Sequence, residues 1–144
     1  MKILVTGGAG YIGSTVCSAL EDRGHTPVVL DSFVTGRREF SRNRTLYEGD
    51  IGDSDLTSRI FDEHPTIECA IHCAALIVVP DSVAQPYEYY VNNVSKSLEL
   101  FRNLETNGCR RVVFSSSAAV YGNIQDLMVR EDSSLGPSSP YART

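Results

Sequence analysis

Residues 1–13 read Met-Lys-Ile-Leu-Val-Thr-Gly-Gly-Ala-Gly-Tyr-Ile-Gly, and no other stretch narrows the possible folds so far. Ile3, Leu4 and Val5 form a short apolar run suited to a buried parallel strand, and the glycines after it predict a direct turn into a helix starting near Tyr11. The glycines have separate tasks in such a unit: Gly7 permits the tight turn, Gly10 lets the backbone approach a pyrophosphate, and Gly13 lets helix and strand pack closely. Unpaired amides and the dipole at the helix start would hold the phosphates. Gly24 ends the helix, and a second apolar run, Val28, Val29 and Leu30, finishes on Asp31. A carboxylate at the tip of strand two, about 20 residues beyond the glycines, is placed to grip a ribose 2′-hydroxyl. Arg37 and Arg38 follow in the next loop and could accept the 2′-phosphate of NADP. Asp31 would set like charges beside that phosphate, so the pattern favours NAD and leaves the arginines solvated.

The same alternation continues downstream. In the first helix Ile12, Val16, Ala19 and Leu20 are expected to face the sheet. A third strand at Thr45, Leu46, Tyr47 and Glu48 is closed by Gly49, Asp50 and Ile51. Asp53 then caps a helix that turns Leu56, Ile60 and Phe61 inward. Strand four covers residues 69–73 and runs into Ala74 and Ala75, small enough for a cofactor to lie across the strand end. His72 within it reads as a buried, hydrogen-bonded scaffold residue. Residues 87–105 predict a helix with Tyr87, Val91, Val94, Leu98 and Phe101 as a core stripe, and with Asn92 or Asn93 bonded to neighbouring backbone. Strand five, residues 111–114, delivers a polar run at residues 115–122; a loop rich in Ser, Pro and Gly covers 122–140, and Pro140 and Tyr141 start a further helix. The pattern predicts an α/β, doubly wound parallel sheet of Rossmann type, strand order 3-2-1-4-5, with strand five at an edge.

The formal net charge is −5, with no basic stripe to attract nucleic acid. The four cysteines, Cys17, Cys69, Cys73 and Cys109, lie scattered in apolar elements without metal-ligand spacing, so no metal is expected and the thiols read as reduced, as in the cytoplasm. No signal segment or membrane span is apparent, so no membrane association is expected.

These motifs, taken in order, resemble the extended short-chain dehydrogenase/reductase family and, within it, the UDP-glucose (UDP-galactose) 4-epimerases. The resemblance rests on residues 6–13, Asp31, residues 49–51, residues 72–75, residues 89–94, residues 115–122, and Pro140 with Tyr141. It implies that Gly7, Gly10, Tyr11, Ile12 and Gly13 meet the pyrophosphate of NAD, and that Asp31, Ser32, Phe33, Thr35 and Gly36 meet the adenine ribose. Asp50 and Ile51 would meet the adenine, while Cys73, Ala74 and Ala75, continuing to Ile77, line the middle of the cofactor with Asn92 and Ser115. Ser117 matches the catalytic Ser/Thr, and Tyr141 matches the tyrosine of Tyr-x-x-x-Lys. A UDP-sugar substrate, a homodimer and a cytoplasmic location are implied as well.

The implied chemistry is reversible oxidation at C4 of a UDP-hexose, with Tyr141 taking the hydroxyl proton and Ser117 bonding the reacting oxygen. Many relatives have Phe at the position of Cys73 and Lys at that of Ile77. The related 4,6-dehydratases carry an acidic pair where Ala118 and Ala119 stand, and alanine cannot move a proton, which disfavours dehydration. A UDP-uronate epimerase or decarboxylase, or a non-catalytic NAD-binding module, stays open. The sequence stops at Thr144, one position before the motif's lysine, so residues 1–144 are expected to be an incomplete nucleotide-binding domain, without a substrate-binding region and inactive alone.

Overall fold

Five strands, β1 (Lys2–Thr6), β2 (Thr26–Asp31), β3 (Thr45–Glu48), β4 (Ile67–His72) and β5 (Val112–Phe114), pair in parallel in the order β3-β2-β1-β4-β5. The expected doubly wound order is the observed one. The helices are α1 (Tyr11–Glu21), α2 (Ser54–Glu63), α3 (Val79–Ala84), α4 (Pro86–Tyr89), α5 (Lys96–Thr106) and α6 (Pro140–Arg143), with 3-10 turns at Arg38–Ser41 and Ala118–Tyr121 and a π-helical turn at Tyr90–Ser95. The computed structural model describes residues 1–123 and 128–144, so part of the loop expected at 122–140 lies outside the described residues. The chain forms two compact units, residues 1–75 with 96–115, and residues 76–95 with 116–144.

The first unit holds the sheet. Successive side chains of β1 point to opposite faces. Ile3 and Val5 join Val29 and Cys17 of α1 on one face, while Leu4 joins Val28, Leu30, Leu56, Ile60, Leu100 and Leu104 on the other, where α2 and α5 pack. Burying each such aliphatic side chain contributes roughly 1.5–3 kcal/mol. Asp53 caps α2 as expected, its Oδ1 accepting from the Leu56 amide at 2.9 Å, and Leu56, Ile60 and Phe61 are buried.

Two stripes differ from expectation. On α1 the inward residues are Gly13, Cys17 and, partly, Leu20, whereas Ile12 is 58% exposed. Gly13 brings the first turn so close to the strand exit that its column, one residue on from Ile12, becomes the contact line. The stripe read at Tyr87, Val91, Val94, Leu98 and Phe101 is not the buried one: Tyr87 is 75% and Leu98 62% exposed. In the first unit α5 buries Ser97, Leu100, Asn103 and Leu104; in the second, Tyr89 and Asn93 are buried. A π-helical turn carries more residues than an α-turn and rotates the pattern across it. The polar members of the inner face are tolerated because each is hydrogen-bonded, Ser97 to His72 and Asn103 to Ser54 Oγ at 3.1 Å.

His72 is 1% exposed and bridges three elements: Nδ1 lies 2.6 Å from Thr6 Oγ1 on β1, and Nε2 lies 2.9 Å from Ser97 Oγ on α5. A neutral ring gives one nitrogen to donate and one to accept, which matches two hydroxyls. Burial pushes its pKa down to about 4. Between that value and about 6.5 the unfolded chain binds the proton that the folded chain refuses, so stability falls as pH falls through this window, by up to about 3 kcal/mol. Urea denaturation at pH 7 and pH 4.5 is expected to show this loss, and His72→Gln to flatten it relative to the unmodified chain.

β5 lies at the sheet edge with Val112 39%, Val113 56% and Phe114 54% exposed. An unpaired apolar edge is a template for another chain. A protein of residues 1–144 is expected to self-associate with rising concentration, and Val113→Lys to shift it toward monomer in sedimentation velocity.

Candidate functional site

The glycine turn is the centre of the first unit. Gly7 has φ 70°, and its amide donates to the Leu30 carbonyl at 2.8 Å, tying the turn to the end of β2. A Cβ on Gly7 would sit 2.7 Å from the Ala74 nitrogen and 2.8 Å from the Cys73 carbonyl carbon, so only glycine lets the exits of β1 and β4 touch. A Cβ on Gly13 would fall against the Gly7 carbonyl oxygen, far inside contact distance. Gly10 differs: its Cβ would meet only the Gly7 oxygen, at 3.2 Å, with the rest of its surroundings open. Gly10 is also the N-cap of α1, and no side chain caps that helix. The first-turn amides therefore have no intrahelical acceptor and carry the positive end of the dipole. Beside them Tyr11 and Ile12 are exposed apolar side chains, 82% and 58%. Gly8 has a task the sequence signals only by its pairing with Gly7: a Cβ there would lie 2.7 Å from Val29 Cγ1.

Asp31 is 7% exposed and both its carboxylate oxygens are used. Oδ2 accepts from the Ala9 amide at 2.9 Å, inside the glycine turn, and Oδ1 accepts from the Phe33 amide at 2.8 Å. Phe33 adopts φ 58°, an unfavourable conformation for a bulky residue, and Asp31 holds it there. The Arg37 amide donates to the Ala9 carbonyl at 2.9 Å, and a Cβ on Gly36 would lie 2.7 Å from Asp31 Oδ1, so residues 31–37 close onto the turn. Ser32 and Thr35 are exposed on this loop. Arg38 is committed elsewhere: its guanidinium binds Glu48 at 2.7 Å and lies 4.4 Å over the Phe33 ring.

Gly7, Gly10, Tyr11, Ile12, Gly13, Asp31, Gly36, Cys73 and Ala74 are thus gathered around one turn at the carboxyl ends of β1, β2 and β4. The Cys73 amide donates to the Thr6 carbonyl at 3.0 Å and the Ser115 amide to the His72 carbonyl at 3.0 Å, which carries the ladder past the strand ends. Ala75 is exposed beyond them. Asp50 and Ile51 follow β3. Ile51 is buried in the core. All four cysteines are free, and burial pushes the Cys17 thiol up to about 11.

In the second unit, Asn93 is the asparagine bonded to backbone: its Oδ1 accepts from the Leu76 amide at 2.8 Å and its Nδ2 donates to the Leu76 carbonyl at 2.9 Å. Asn92 donates to Asn93 Oδ1 at 3.1 Å. Ser117 opens the turn Ala118–Tyr121, its Oγ accepting from the Ala119 amide at 3.2 Å, which leaves the hydroxyl proton to be given elsewhere. Ser139 caps α6 in the same way at 3.1 Å, and α6 packs against that turn, α3 and α4. The Tyr141 ring meets Tyr89 edge to face with centroids 6.5 Å apart, so Ser117 and Tyr141 stand on packed neighbouring elements.

A family model described as the NAD dependent epimerase/dehydratase family matches residues 3–144. The chain belongs to that family. Among epimerase/dehydratase members, the UDP-glucose 4-epimerase of Azospirillum brasilense is 45% identical over 141 residues, 97% of this chain and 40% of its own length. A Klebsiella pneumoniae protein named UDP-glucose 4-epimerase is 43% identical over 131 residues, 85% of this chain and 94% of its own. The crystal structure of the Stenotrophomonas maltophila UDP-glucose 4-epimerase, with bound NAD and formylated UDP-arabinopyranose, superposes with TM-score 0.93 at 36% identity over 99% of this chain and 45% of that one. The chain spans about two fifths of the length of the Azospirillum relative.

Proposed function

We propose that residues 1–144 form the NAD-binding part of a 4-epimerase acting on a UDP-hexose such as UDP-glucose or UDP-galactose. The observation that carries the cofactor reading is the uncapped start of α1, with open space at Gly10 and the Asp31 carboxylate braced beneath the turn. A pyrophosphate there receives the first-turn amides, and Asp31, with lone pairs to spare, receives ribose hydroxyls. Ser32, Phe33, Thr35 and Gly36 would cover that ribose, Asp50 and Ile51 would meet the adenine, and Cys73, Ala74, Ala75, Asn92 and Ser115 would serve the middle of the cofactor. Bound NAD supplies reversible hydride exchange at the sugar's C4.

The chain's own residues manage the proton. Tyr141 takes it from the C4 hydroxyl, and Ser117, its acceptor side occupied by Ala119, donates to the oxygen that becomes the carbonyl of a 4-keto sugar. Rotation of the keto sugar before reduction gives the other epimer. Ala118 and Ala119 in place of acids support epimerisation over dehydration. The names of the relatives support the substrate class. The proposal includes a cytoplasmic location, supported by the free thiols, and a homodimer, supported by exposed Leu98 on α5. The substrate-binding region is proposed to lie outside residues 1–144.

The test is calorimetric titration of the chain with NAD and NADP, together with a UDP-galactose assay of the full product of the gene. NAD tighter than NADP, and turnover that falls about 10²–10⁴-fold in Ser117→Ala and Tyr141→Phe, is the expected result. Equal binding of both dinucleotides, or full turnover without Tyr141, overturns it.

A further inference from the structure

Lys96 opens α5, and its ammonium forms an ion pair with the Oδ2 of Asp50, 46 positions earlier in the loop after β3. The other oxygen of that carboxylate, Oδ1, accepts from the Gly52 amide at 2.8 Å. The three residues fit closely: a Cβ on Gly52 would stand 3.2 Å from Asp50 Oδ1 and 3.3 Å from Lys96 Cγ. The lysine projects from a fixed point, because its neighbour Ser97 is hydrogen-bonded to buried His72. The same helix also ties down the start of α2, where Ser54 donates to Glu99 at 3.0 Å and accepts from Asn103 at 3.1 Å. Asp50 lies beyond the strand end that pairs with Asp31, Glu48 standing opposite Asp31 in the β2–β3 register. It is therefore on the side of the sheet that carries the glycine turn.

An ion pair with side chains 33% and 43% exposed adds little stability. It does restrict a carboxylate that would otherwise rotate freely. We propose that Lys96 is a positioning residue for the adenine end of the dinucleotide: with the Gly52 amide it fixes the Asp50 carboxylate so that a remaining lone pair faces the exocyclic amino group. The inference rests on the NAD reading given above. A carboxylate is acceptor-only and each oxygen takes more than one donor, so both present bonds leave room for the amino group. Hypoxanthine has an oxygen in place of that group, so at that position it sets an acceptor against the carboxylate, and its nearest donor is the N1–H on the neighbouring ring atom.

The experiment titrates the 144-residue chain with NAD and with nicotinamide hypoxanthine dinucleotide, for the unmodified protein, Lys96→Met and Lys96→Arg, after circular dichroism has established that each is folded. The unmodified chain is expected to prefer NAD about tenfold, the gain from one hydrogen bond to a charged group. Lys96→Met is expected to weaken NAD about fivefold while changing the hypoxanthine analogue by less than about twofold, collapsing the preference; Lys96→Arg keeps most of it. Equal weakening of both ligands in Lys96→Met, or no weakening of NAD, overturns the role of Lys96 and leaves the cofactor reading standing. Equal affinity of the unmodified chain for the two dinucleotides also overturns it, through Asp50. Failure of the unmodified chain to bind NAD removes the cofactor reading and this inference together.

Discussion

Gly13→Ala is expected to lower the thermal midpoint of the chain by about 10 °C, whereas Gly10→Ala should leave it almost unchanged and abolish tight NAD binding. The added methyl at position 13 would press on the Gly7 carbonyl oxygen, with the Gly7 carbonyl carbon at 2.8 Å and Gly8 Cα at 2.9 Å behind it. All are backbone atoms that cannot rotate away, so α1 must lift from the sheet and uncover Cys17 and its neighbours Ile3, Val5 and Val29. Overpacking of this kind costs about 3 kcal/mol, and each kcal/mol lowers the midpoint of a chain this size by roughly 3 °C. At position 10 the methyl meets a single oxygen at 3.2 Å and otherwise points into open space, the space a pyrophosphate would occupy. Thermal melts and NAD titrations of the two variants separate these effects. A Gly10→Ala protein that binds NAD normally would remove the pyrophosphate from that place.

Asp31→Ala is expected to weaken NAD about 100-fold and to destabilise the fold by about 3 kcal/mol, without creating a good NADP site. In the sequence Asp31 looks like a selector of the ribose alone, and its removal should simply admit the 2′-phosphate. The structure gives the carboxylate a second task, accepting from the buried Ala9 amide and from Phe33, whose φ of 58° it maintains. Without it two amides lose their acceptors, at about 1–3 kcal/mol for a buried one, and the loop over the adenosine end is released. Paired NAD and NADP titrations with urea denaturation check this. A variant of unchanged stability that binds NADP tightly would restrict Asp31 to recognition.

The parts legible in the sequence are those whose cause is local. The run Ile3 to Val5, the glycines after it, Asp31 at a strand tip, Asp53 three residues before Leu56 and the helix start at Pro140 and Tyr141 each announce their geometry within a few positions. The parts that were not legible depend on partners far along the chain. Lys96 reads as a solvated helix lysine until Asp50 is placed beside it, and Ser97 and Asn103 look wrong for an inner face until His72 and Ser54 satisfy them. Hydropathy spacing chose Tyr87 and Leu98 instead, because it counts apolar side chains and cannot see either a π-helical turn or a satisfied hydroxyl. At the proposed site, the place of Asp31 at the tip of β2 is legible, but its bracing of Ala9 and Phe33 is not, since a carboxylate advertises its charge and not its donors.

Asn93 illustrates how little latitude such a satisfied polar group leaves. Its side-chain amide meets both the N–H and the C=O of Leu76 and also donates to Thr144 Oγ1 at 3.2 Å, acting as a surrogate peptide group for that segment. Aspartate has nearly the same outline, but it would turn the donating edge into a second acceptor facing a carbonyl. The position is therefore a joint that tolerates no change of charge: Asn93→Asp, with almost no change in outline, would repel the Leu76 carbonyl and loosen the chain there.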